Sequence, residues 1–218
     1  VPDFKEDEIA LVKWYEHQLN RLDVESQLNT EAAPGTVLSS TYDEVIIATG
    51  SRPLTLPLAD SSKLFTAEEV LLKKREIGNT LIVVGGGLIG CETALWLAKQ
   101  GKTITIVEQL DKILAVNGPL CHANSDMLEL LIPHNNIEVR TATRITSFEN
   151  DTALCHTPDG EVKIKCDGIV LAVGYRPERS LFEEIRFKRP GVHVIGDARR
   201  VKNIMYAIWD AFEVANGL

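Results

Sequence analysis

One glycine-rich stretch, "TLIVVGGGLIGCETALWLAKQGKTITIVEQ" at residues 80–109, restricts the fold more than any other part of the chain. A glycine pattern alone is weak, but here the flanking pattern agrees with it. An apolar strand pattern at 80–84 leads into Gly85, Gly87 and Gly90, and a helical pattern then precedes a second strand at 103–107. This order, with the spacing G-x-G-x-x-G, predicts a Rossmann-like α/β domain that binds a dinucleotide.

Each part of this turn has a physical role in dinucleotide binding. Gly85 permits the tight turn, Gly87 lets the pyrophosphate approach the backbone, and Gly90 lets the helix pack closely on the strand. The helix begins around Leu88 and Ile89, where free N–H groups and a partial positive charge attract the pyrophosphate. These five residues are therefore candidate cofactor-binding residues.

Glu108 ends the second strand, 18 residues past the last glycine of the turn. This is near the spacing of about 20 residues at which an acid that binds the adenosine ribose is expected. A carboxylate there repels a 2′-phosphate, and the next three residues, 109–111, supply no arginine. NADH is therefore favoured over NADPH. The structural alternative is a solvated residue at a strand end.

Glu92 and Cys91 lie close to the turn and have two interpretations each. We place Glu92 in the first turn of the helix, where it either complements the helix N-terminus or lies beside the nicotinamide. For Cys91, packing is favoured over reactivity. The other cysteines, Cys121, Cys155 and Cys166, form no C-x-x-C pair with it, which favours separate reduced thiols in a cytoplasmic protein.

Composition excludes several classes of function. The 218 residues are 44% apolar and 25% charged, with a net charge of −8 and no cluster of Lys and Arg, so nucleic acid is not an expected partner. No apolar run approaches the roughly 20 residues that span a bilayer, so no membrane association is expected. We assign no catalytic side chain and no metal site.

The remaining pattern predicts the other elements. A helix over 3–22 begins at Asp3 with a D-x-x-E sequence, and Thr66 with Glu69 forms a capping box for a short helix to about residue 74. From about residue 136 the period changes to two, which predicts an antiparallel meander. The pattern also predicts a strand at 24–28, a helix at 124–132 closed by Pro133, buried strands at 43–50, 167–174 and 191–197, and a helix at 203–216.

Four segments occur in a family-specific order: "IIATGSRP", "VVGGGLIGCETA", "VLAVGYRP" and "VIGDARR". The chain thereby resembles the flavoproteins with two dinucleotide-binding domains that are related to glutathione reductase. The resemblance implies a three-layer β/β/α NAD(H)-binding domain at 61–177, inserted into a discontinuous FAD-binding domain at 1–60 and 178–218.

Particular cofactor contacts follow from this resemblance. It makes Thr49 and Gly50 backbone positions on the flavin side, and it makes Gly174 part of the strand that leads back into the FAD domain. It also makes Asp197, after Gly196, the ligand of the FAD ribitol chain.

The glycine turn together with the closing segment also resembles the C-terminal part of NADH:flavin oxidoreductases of the 2,4-dienoyl-CoA reductase and old-yellow-enzyme type. In that type, a hydride passes from NAD(P)H to FAD, and electrons continue through a 4Fe-4S cluster to FMN in an N-terminal TIM barrel. This implies that the barrel region of the same polypeptide is a partner.

The chain departs from this family pattern in having one glycine fingerprint instead of two. We therefore expect an N-terminally truncated chain that begins inside an incomplete FAD domain, binds NADH weakly and FAD barely, and is inactive alone. The open sheet edge leaves homo-oligomerisation open. A non-catalytic sensor or regulatory domain is the alternative function. A disulfide reductase is poorly supported, because the NAD(H) domain lacks C-x-x-C.

Overall fold

The computed structural model describes residues 2, 5–58, 61–115 and 122–218 of the chain. Asp3, predicted to begin the first helix, and Cys121 lie outside these residues. The elements in chain order are α1 (Glu6–Arg21), α2 (Pro34–Leu38), β1 (Val45–Ile47), β2 (Ser51–Pro53), a 3-10 turn (Ser61–Lys63), β3 (Leu64–Thr66), α3 (Ala67–Leu71), β4 (Thr80–Val84), α4 (Leu88–Lys99), β5 (Thr103–Val107), α5 (His122–His134), β6 (Glu138–Arg140), β7 (Arg144–Glu149), β8 (Thr152–Thr157), β9 (Gly160–Lys165), β10 (Gly168–Leu171), β11 (Tyr175–Pro177), α6 (Ser180–Ile185), β12 (Val192–Val194), α7 (Gly196–Arg199) and α8 (Ile204–Gly217).

The chain divides into two compact units. The first unit contains residues 1–18 and 53–174, and the second contains residues 19–52 and 175–218. The predicted domains, 61–177 for NAD(H) and 1–60 with 178–218 for FAD, stay predictions, because the division into units does not say which cofactor each unit binds.

A five-stranded parallel sheet with the order β3-β10-β4-β5-β6 forms the centre of the first unit. Leu81 and Val83 of β4 pack into a core with the helices, and Ile82 and Val84 pack into a second core with the meander. Both faces of the strand are thus covered, which explains its uninterrupted apolar sequence. The predicted α/β fold with a Rossmann-type sheet is confirmed.

The meander on the second face consists of β7, β8 and β9, paired antiparallel in that order. Asn150 and Asp151 connect the first two strands with φ angles of 49° and 57°. Two consecutive residues with positive φ are typical of a type I′ hairpin turn, and the short polar side chains of Asn and Asp tolerate that conformation.

The capping box at the start of α3 is present as predicted. Thr66 Oγ1 accepts a 3.1 Å hydrogen bond from the backbone N–H of Glu69, and the Glu69 carboxylate accepts a 2.8 Å bond from the N–H of Thr66. The helix α3, which follows this capping box, ends at Leu71, so the predicted end near residue 74 was wrong.

Three other element predictions differ from the structure. The β6 strand pairs parallel with β5 in the main sheet, and does not belong to the meander. Residues 24–28 form no strand, because no neighbouring strand pairs with them and Leu28 is 82% exposed. Pro133, predicted to close the helix after residue 132, lies inside the last turn of α5, which ends at His134.

The second unit contains a parallel pair, β1 with β12, in which Ile46 faces His193 across the pair. The short strands β2 and β11 form a separate pair. Among the described residues, α8 has no buried side chain, and Trp209 and Phe212 are 55% and 70% exposed. Parallel strands are normally covered on both faces, yet Ile46 is 43% exposed.

Within the described part of the chain, none of the helices combines the length and the apolar character that crossing a membrane requires.

Candidate nucleotide-binding site

The glycine turn lies between β4 and α4, at the carboxyl edge of the parallel sheet. Gly85 has a φ angle of +106°, and a Cβ atom there would lie 2.4 Å from the carbonyl oxygen of Ala172. Its N–H donates a 2.9 Å hydrogen bond to the carbonyl of Val107 at the end of β5. Only glycine combines this conformation with this close approach.

Gly90 and Gly87 are needed for different reasons. A Cβ atom on Gly90 would lie 1.9 Å from the carbonyl oxygen of Gly85, so glycine lets the helix start against the turn. A Cβ atom on Gly87 would meet nothing within 4 Å. The space beside Gly87 is therefore open, as the approach of a pyrophosphate requires.

The start of α4 carries no side-chain cap. Gly87 is its N-cap residue, with extended backbone angles and no side-chain hydrogen bond. The N–H groups of Leu88 and Ile89 belong to the first helical turn, which has no intrahelical acceptors. These groups and the helix dipole make the open space beside Gly87 suitable for an anion.

Glu108 follows β5, is 9% exposed and points its carboxylate at the turn. The N–H of Gly86 donates a 2.6 Å hydrogen bond to Glu108 Oε2, and the N–H of Leu110 donates a 2.8 Å bond to Oε1. Each oxygen retains a lone pair for a ribose hydroxyl. The alternative of a solvated strand end is wrong, because the side chain is buried.

Gly86 is a component of the site that the sequence pattern did not identify. A Cβ atom there would lie 2.7 Å from Ile113 Cγ2 and 3.1 Å from Glu108 Cβ. Its carbonyl oxygen accepts a 2.7 Å hydrogen bond from the N–H of Leu114. The motif G-x-G-x-x-G leaves this position free, so the only signal in the sequence was that the position between Gly85 and Gly87 is also a glycine.

Glu92 lies in the second turn of α4, because the helix begins at Leu88. Our placement of this residue in the first turn was therefore wrong. Its Oε1 atom lies 2.7 Å from Lys5 Nζ, and the two side chains are 12% and 21% exposed. Lys5 was not predicted, because no local pattern relates it to a residue so far along the chain.

Cys91 is fully buried, and its thiol lies 3.4 Å from the carbonyl oxygen of Gly86. Burial, and then the negative charges of Glu108 and Glu92, raise the pKa of this thiol to about 12. A thiol with such a pKa is not a nucleophile at neutral pH. Burial likewise raises the pKa of Cys155, and raises that of Cys166 to about 11.

Gly174 follows β10, which neighbours β4 in the sheet. Its φ angle is +105°, and its carbonyl oxygen accepts a 2.9 Å hydrogen bond from the N–H of Leu54. Because parallel strands end at the same edge, the segments after β10, β4 and β5 lie along one edge of the first unit. Ligands of open α/β sheets bind at this edge.

The second unit contains the other four residues that the resemblance indicated. Gly50 has a φ angle of +73° and accepts a 3.0 Å hydrogen bond from the N–H of Glu178. Thr49 Oγ1 donates a 2.6 Å hydrogen bond to the carbonyl oxygen of the same residue. The loop after β1 is thus fixed to the segment that follows β11.

Asp197 lies in α7, beside Gly196 with its φ angle of +59°. Ser51 Oγ donates a 2.9 Å hydrogen bond to Asp197 Oδ2, and the N–H of Lys202 donates a 3.1 Å bond to Oδ1. Asp197 lines a pocket of about 310 Å³ between α7 and the start of α8. Ser51 was missed, because it lies 146 residues from its partner.

Among the described residues, no three side chains of His, Cys, Asp or Glu come together as metal ligands would. The fold is a Rossmann-type sheet with a glycine turn at its carboxyl edge, which is the arrangement typical of proteins that bind dinucleotides.

Comparison with known proteins identifies the family. The profile of the Pyridine nucleotide-disulphide oxidoreductase family matches residues 11–211. The chain therefore belongs to this family, which confirms the family inferred from the motifs. Membership implies binding of FAD and of NAD(P)H.

The named relatives are oxidoreductases. The chain is 48% identical to cinnamate reductase of Clostridium sporogenes over 218 residues, which cover 100% of this chain and 33% of that protein. It is 33% identical to an NADH oxidase of Thermoanaerobacter brockii over 94% of this chain and 33% of the relative. A solved complex of 2-naphthoyl-CoA reductase with 2-naphthoyl-CoA superimposes with a TM-score of 0.89 at 27% identity, covering 98% of this chain and 32% of that one. The chain thus spans about a third of the length of these proteins.

Proposed function

We propose that the chain is the NADH-accepting module of a flavin-dependent oxidoreductase. The observation that carries this proposal is the glycine turn, where the space beside Gly87 is open and the buried Glu108 carboxylate lies at the end of the neighbouring strand. In this proposal the turn binds the pyrophosphate, and Glu108 accepts hydrogen bonds from the adenosine ribose hydroxyls.

NADH is the preferred form of the nucleotide in this proposal. The Glu108 carboxylate would face the additional 2′-phosphate of NADPH, and like charges at short range repel. Gln109, Leu110 and Asp111 provide no cation that would compensate this repulsion. The chain should therefore discriminate against NADPH at the ribose.

We assign FAD to the second unit and NAD(H) to the first. Thr49 and Gly50 would lie on the flavin side, and Asp197 after Gly196 would hold the ribitol chain. The donor set fits, because each Asp197 oxygen accepts one hydrogen bond and keeps a lone pair for a ribitol hydroxyl. When bound, FAD accepts the hydride that NADH gives up, and the residues of this chain bind and orient the two cofactors.

The partner of this module is proposed to be an N-terminal TIM-barrel region of the same polypeptide, with FMN and a 4Fe-4S cluster. Two observations support it: the chain spans about a third of its relatives, and those relatives are named as reductases and an oxidase. Electrons would continue from FAD to that region. The second candidate function is a non-catalytic sensor domain. It is favoured because the given sequence contains one intact glycine fingerprint, in the first unit, and no second one.

The test is NADH oxidation by the gene product purified from its native host. Flavin absorbance and NADH consumption should both be present, and substitution of Glu108 by Ala should reduce the consumption. If the purified protein binds NADH but does not oxidise it with any of the electron acceptors tested, the sensor domain is supported. A product with no affinity for NADH would exclude both.

A further inference from the structure

Leu114 has a backbone conformation that is unusual for a large apolar residue. Its φ angle is +57°, in the left-handed region, where the Cβ atom crowds the backbone. Five of the eight non-glycine residues with positive φ among the described residues are Asn or Asp, which tolerate this region best. Leu114 is neither, and it is 7% exposed. Its surroundings therefore hold it in an unfavourable conformation, as is common at functional sites.

Two contacts join residues 113 and 114 directly to the glycine turn. The N–H of Leu114 donates a 2.7 Å hydrogen bond to the carbonyl oxygen of Gly86. A Cβ atom on Gly86 would lie 2.7 Å from Ile113 Cγ2, so the Ile113 side chain packs against the Cα of this glycine. The side chain of Leu114 belongs to the core cluster that contains Cys91 and Ala94 of α4. Its packing thus offsets the unfavourable φ angle while the N–H bonds to the turn.

Gly86 is thereby held by both of its backbone groups. Its N–H donates a 2.6 Å hydrogen bond to Glu108 Oε2, and its carbonyl oxygen accepts the bond from Leu114. The peptide bond between Gly86 and Gly87 is planar and trans, so the C=O of Gly86 and the N–H of Gly87 point in opposite directions. The bond from Leu114 therefore fixes the direction of the Gly87 N–H, which donates no hydrogen bond to the described residues.

The segment 108–114 is also fixed on its other side. Ala142, with a φ angle of +46°, donates a 2.6 Å hydrogen bond from its N–H to the carbonyl oxygen of Leu110. The N–H of Thr143 donates a 2.9 Å bond to the carbonyl oxygen of Glu108. Because these bonds restrain the segment as a whole, a change in the conformation of Leu114 would alter its bond to the turn.

We propose that Leu114 is a positioning residue of the nucleotide site, held in the left-handed conformation so that its N–H orients the Gly86–Gly87 peptide for the dinucleotide pyrophosphate. Leu114 does not contact the nucleotide in this proposal and acts through Gly86. A peptide that is oriented before binding saves the cost of ordering it when the nucleotide arrives. The proposal rests on the proposed function, because it concerns the affinity of the same turn for NADH.

The test is a calorimetric titration of the 218-residue chain with NADH, together with urea unfolding of each variant. Leu114→Ile keeps the side-chain volume, but β-branched residues avoid positive φ, so the N–H should leave its place. We expect NADH binding to weaken by about three- to tenfold, the equivalent of one neutral hydrogen bond. Leu128→Ile is the matched control, because Leu128 is 1% exposed in the same core cluster and lies within helix α5. It should stay within about twofold of the wild-type affinity.

Leu114→Gly and Leu114→Asn separate the role of the backbone from that of the side chain. Both residue types adopt positive φ readily, and both keep the N–H. Both variants should unfold at a lower urea concentration than Leu114→Ile, because they lose apolar burial. While folded, they should nevertheless bind NADH within about twofold of the wild type, since the turn keeps its hydrogen bond. The order of affinity would then oppose the order of stability, which side-chain packing alone does not produce.

ADP-ribose and adenosine show which part of the nucleotide is affected, because ADP-ribose carries the pyrophosphate and adenosine does not. Leu114→Ile should weaken the binding of ADP-ribose by the same factor as that of NADH. The affinity for adenosine should change by less than about twofold, because the glycine turn contacts the pyrophosphate in the proposed binding mode.

The outcomes distinguish this inference from the proposed function. If the wild type binds NADH and Leu114→Ile has the same affinity as Leu128→Ile, Leu114 does not position the turn, and the proposed function stands. The same conclusion follows if Leu114→Gly or Leu114→Asn loses more affinity than Leu114→Ile, or if Leu114→Ile weakens adenosine as much as ADP-ribose. If the wild type does not bind NADH, both the inference and the proposed function are wrong.

Discussion

Replacing Glu108 by Gln should destabilise the first unit more than an isosteric change usually does. Both carboxylate oxygens accept a backbone hydrogen bond, from Gly86 at 2.6 Å and from Leu110 at 2.8 Å. Glutamine has one acceptor oxygen and one donor NH₂ group, so one of these N–H groups would face another donor. A buried donor without a partner costs about 1–3 kcal/mol, and we expect the free energy of unfolding to fall by that amount.

Urea unfolding followed by tryptophan fluorescence measures this loss. Trp96 in α4 is 8% exposed and reports on the first unit, whereas Trp14 and Trp209 are 54% and 55% exposed. Glu68→Gln is the control, because the pair of Glu68 with Lys74 is exposed and contributes at most about 1 kcal/mol.

The same variant should bind NADH about tenfold more weakly, because a hydrogen bond to a charged group contributes about 1.5–3 kcal/mol. If Glu108→Gln unfolds at the same urea concentration as Glu68→Gln, the carboxylate does not hold the glycine turn, and the geometric reasoning is refuted. A loss of stability with unchanged NADH affinity would instead refute the role of Glu108 at the ribose.

Three further outcomes follow from the same geometry. Gly90→Ala should destabilise the first unit by about 1–3 kcal/mol, because the added Cβ would lie 1.9 Å from the Gly85 carbonyl oxygen. Gly87→Ala should instead fold normally and lose NADH affinity, because its Cβ would occupy the open space beside the turn. Thermal unfolding and NADH titration of both variants check this contrast. Thr66→Ala should lower the free energy of unfolding by about 0.5–2 kcal/mol through loss of the capping box, and Thr66→Ser should restore it in urea unfolding. Cys91 should resist alkylation at pH 8 until the protein unfolds, because burial and neighbouring carboxylates raise the pKa of its thiol to about 12. Mass spectrometry of the labelled peptide measures this, and labelling of the folded protein would contradict it.

The parts of the fold that were predictable are those where local pattern and burial agree. The limits of β4 and β5 were predicted to the residue, because strands covered on both faces need continuous apolar sequence and the glycines end the first one. The β6 strand was misassigned, since three residues carry too little periodicity to distinguish a parallel strand from a meander strand. Residues 24–28 have the composition of a strand, but no neighbour pairs with them.

The site was predictable where a motif fixes the spacing, and unpredictable where distant segments meet. The turn glycines and Glu108 have a known spacing, so the sequence identified them. Lys5 and Ser51 act through partners far along the chain, and sequence alone does not show which side chains the fold brings together. Glu92 was placed one turn too early, because the helix begins after Gly87.

The central claim is that the glycine turn binds NADH and that Glu108 selects it over NADPH. Calorimetric titration of the chain with each nucleotide, under the same buffer and salt, tests this claim most directly. We predict saturable binding of NADH, with an affinity at least about tenfold higher than that for NADPH, and a smaller ratio in Glu108→Ala. Equal or tighter binding of NADPH by the wild-type chain, or no binding of NADH, would contradict the account.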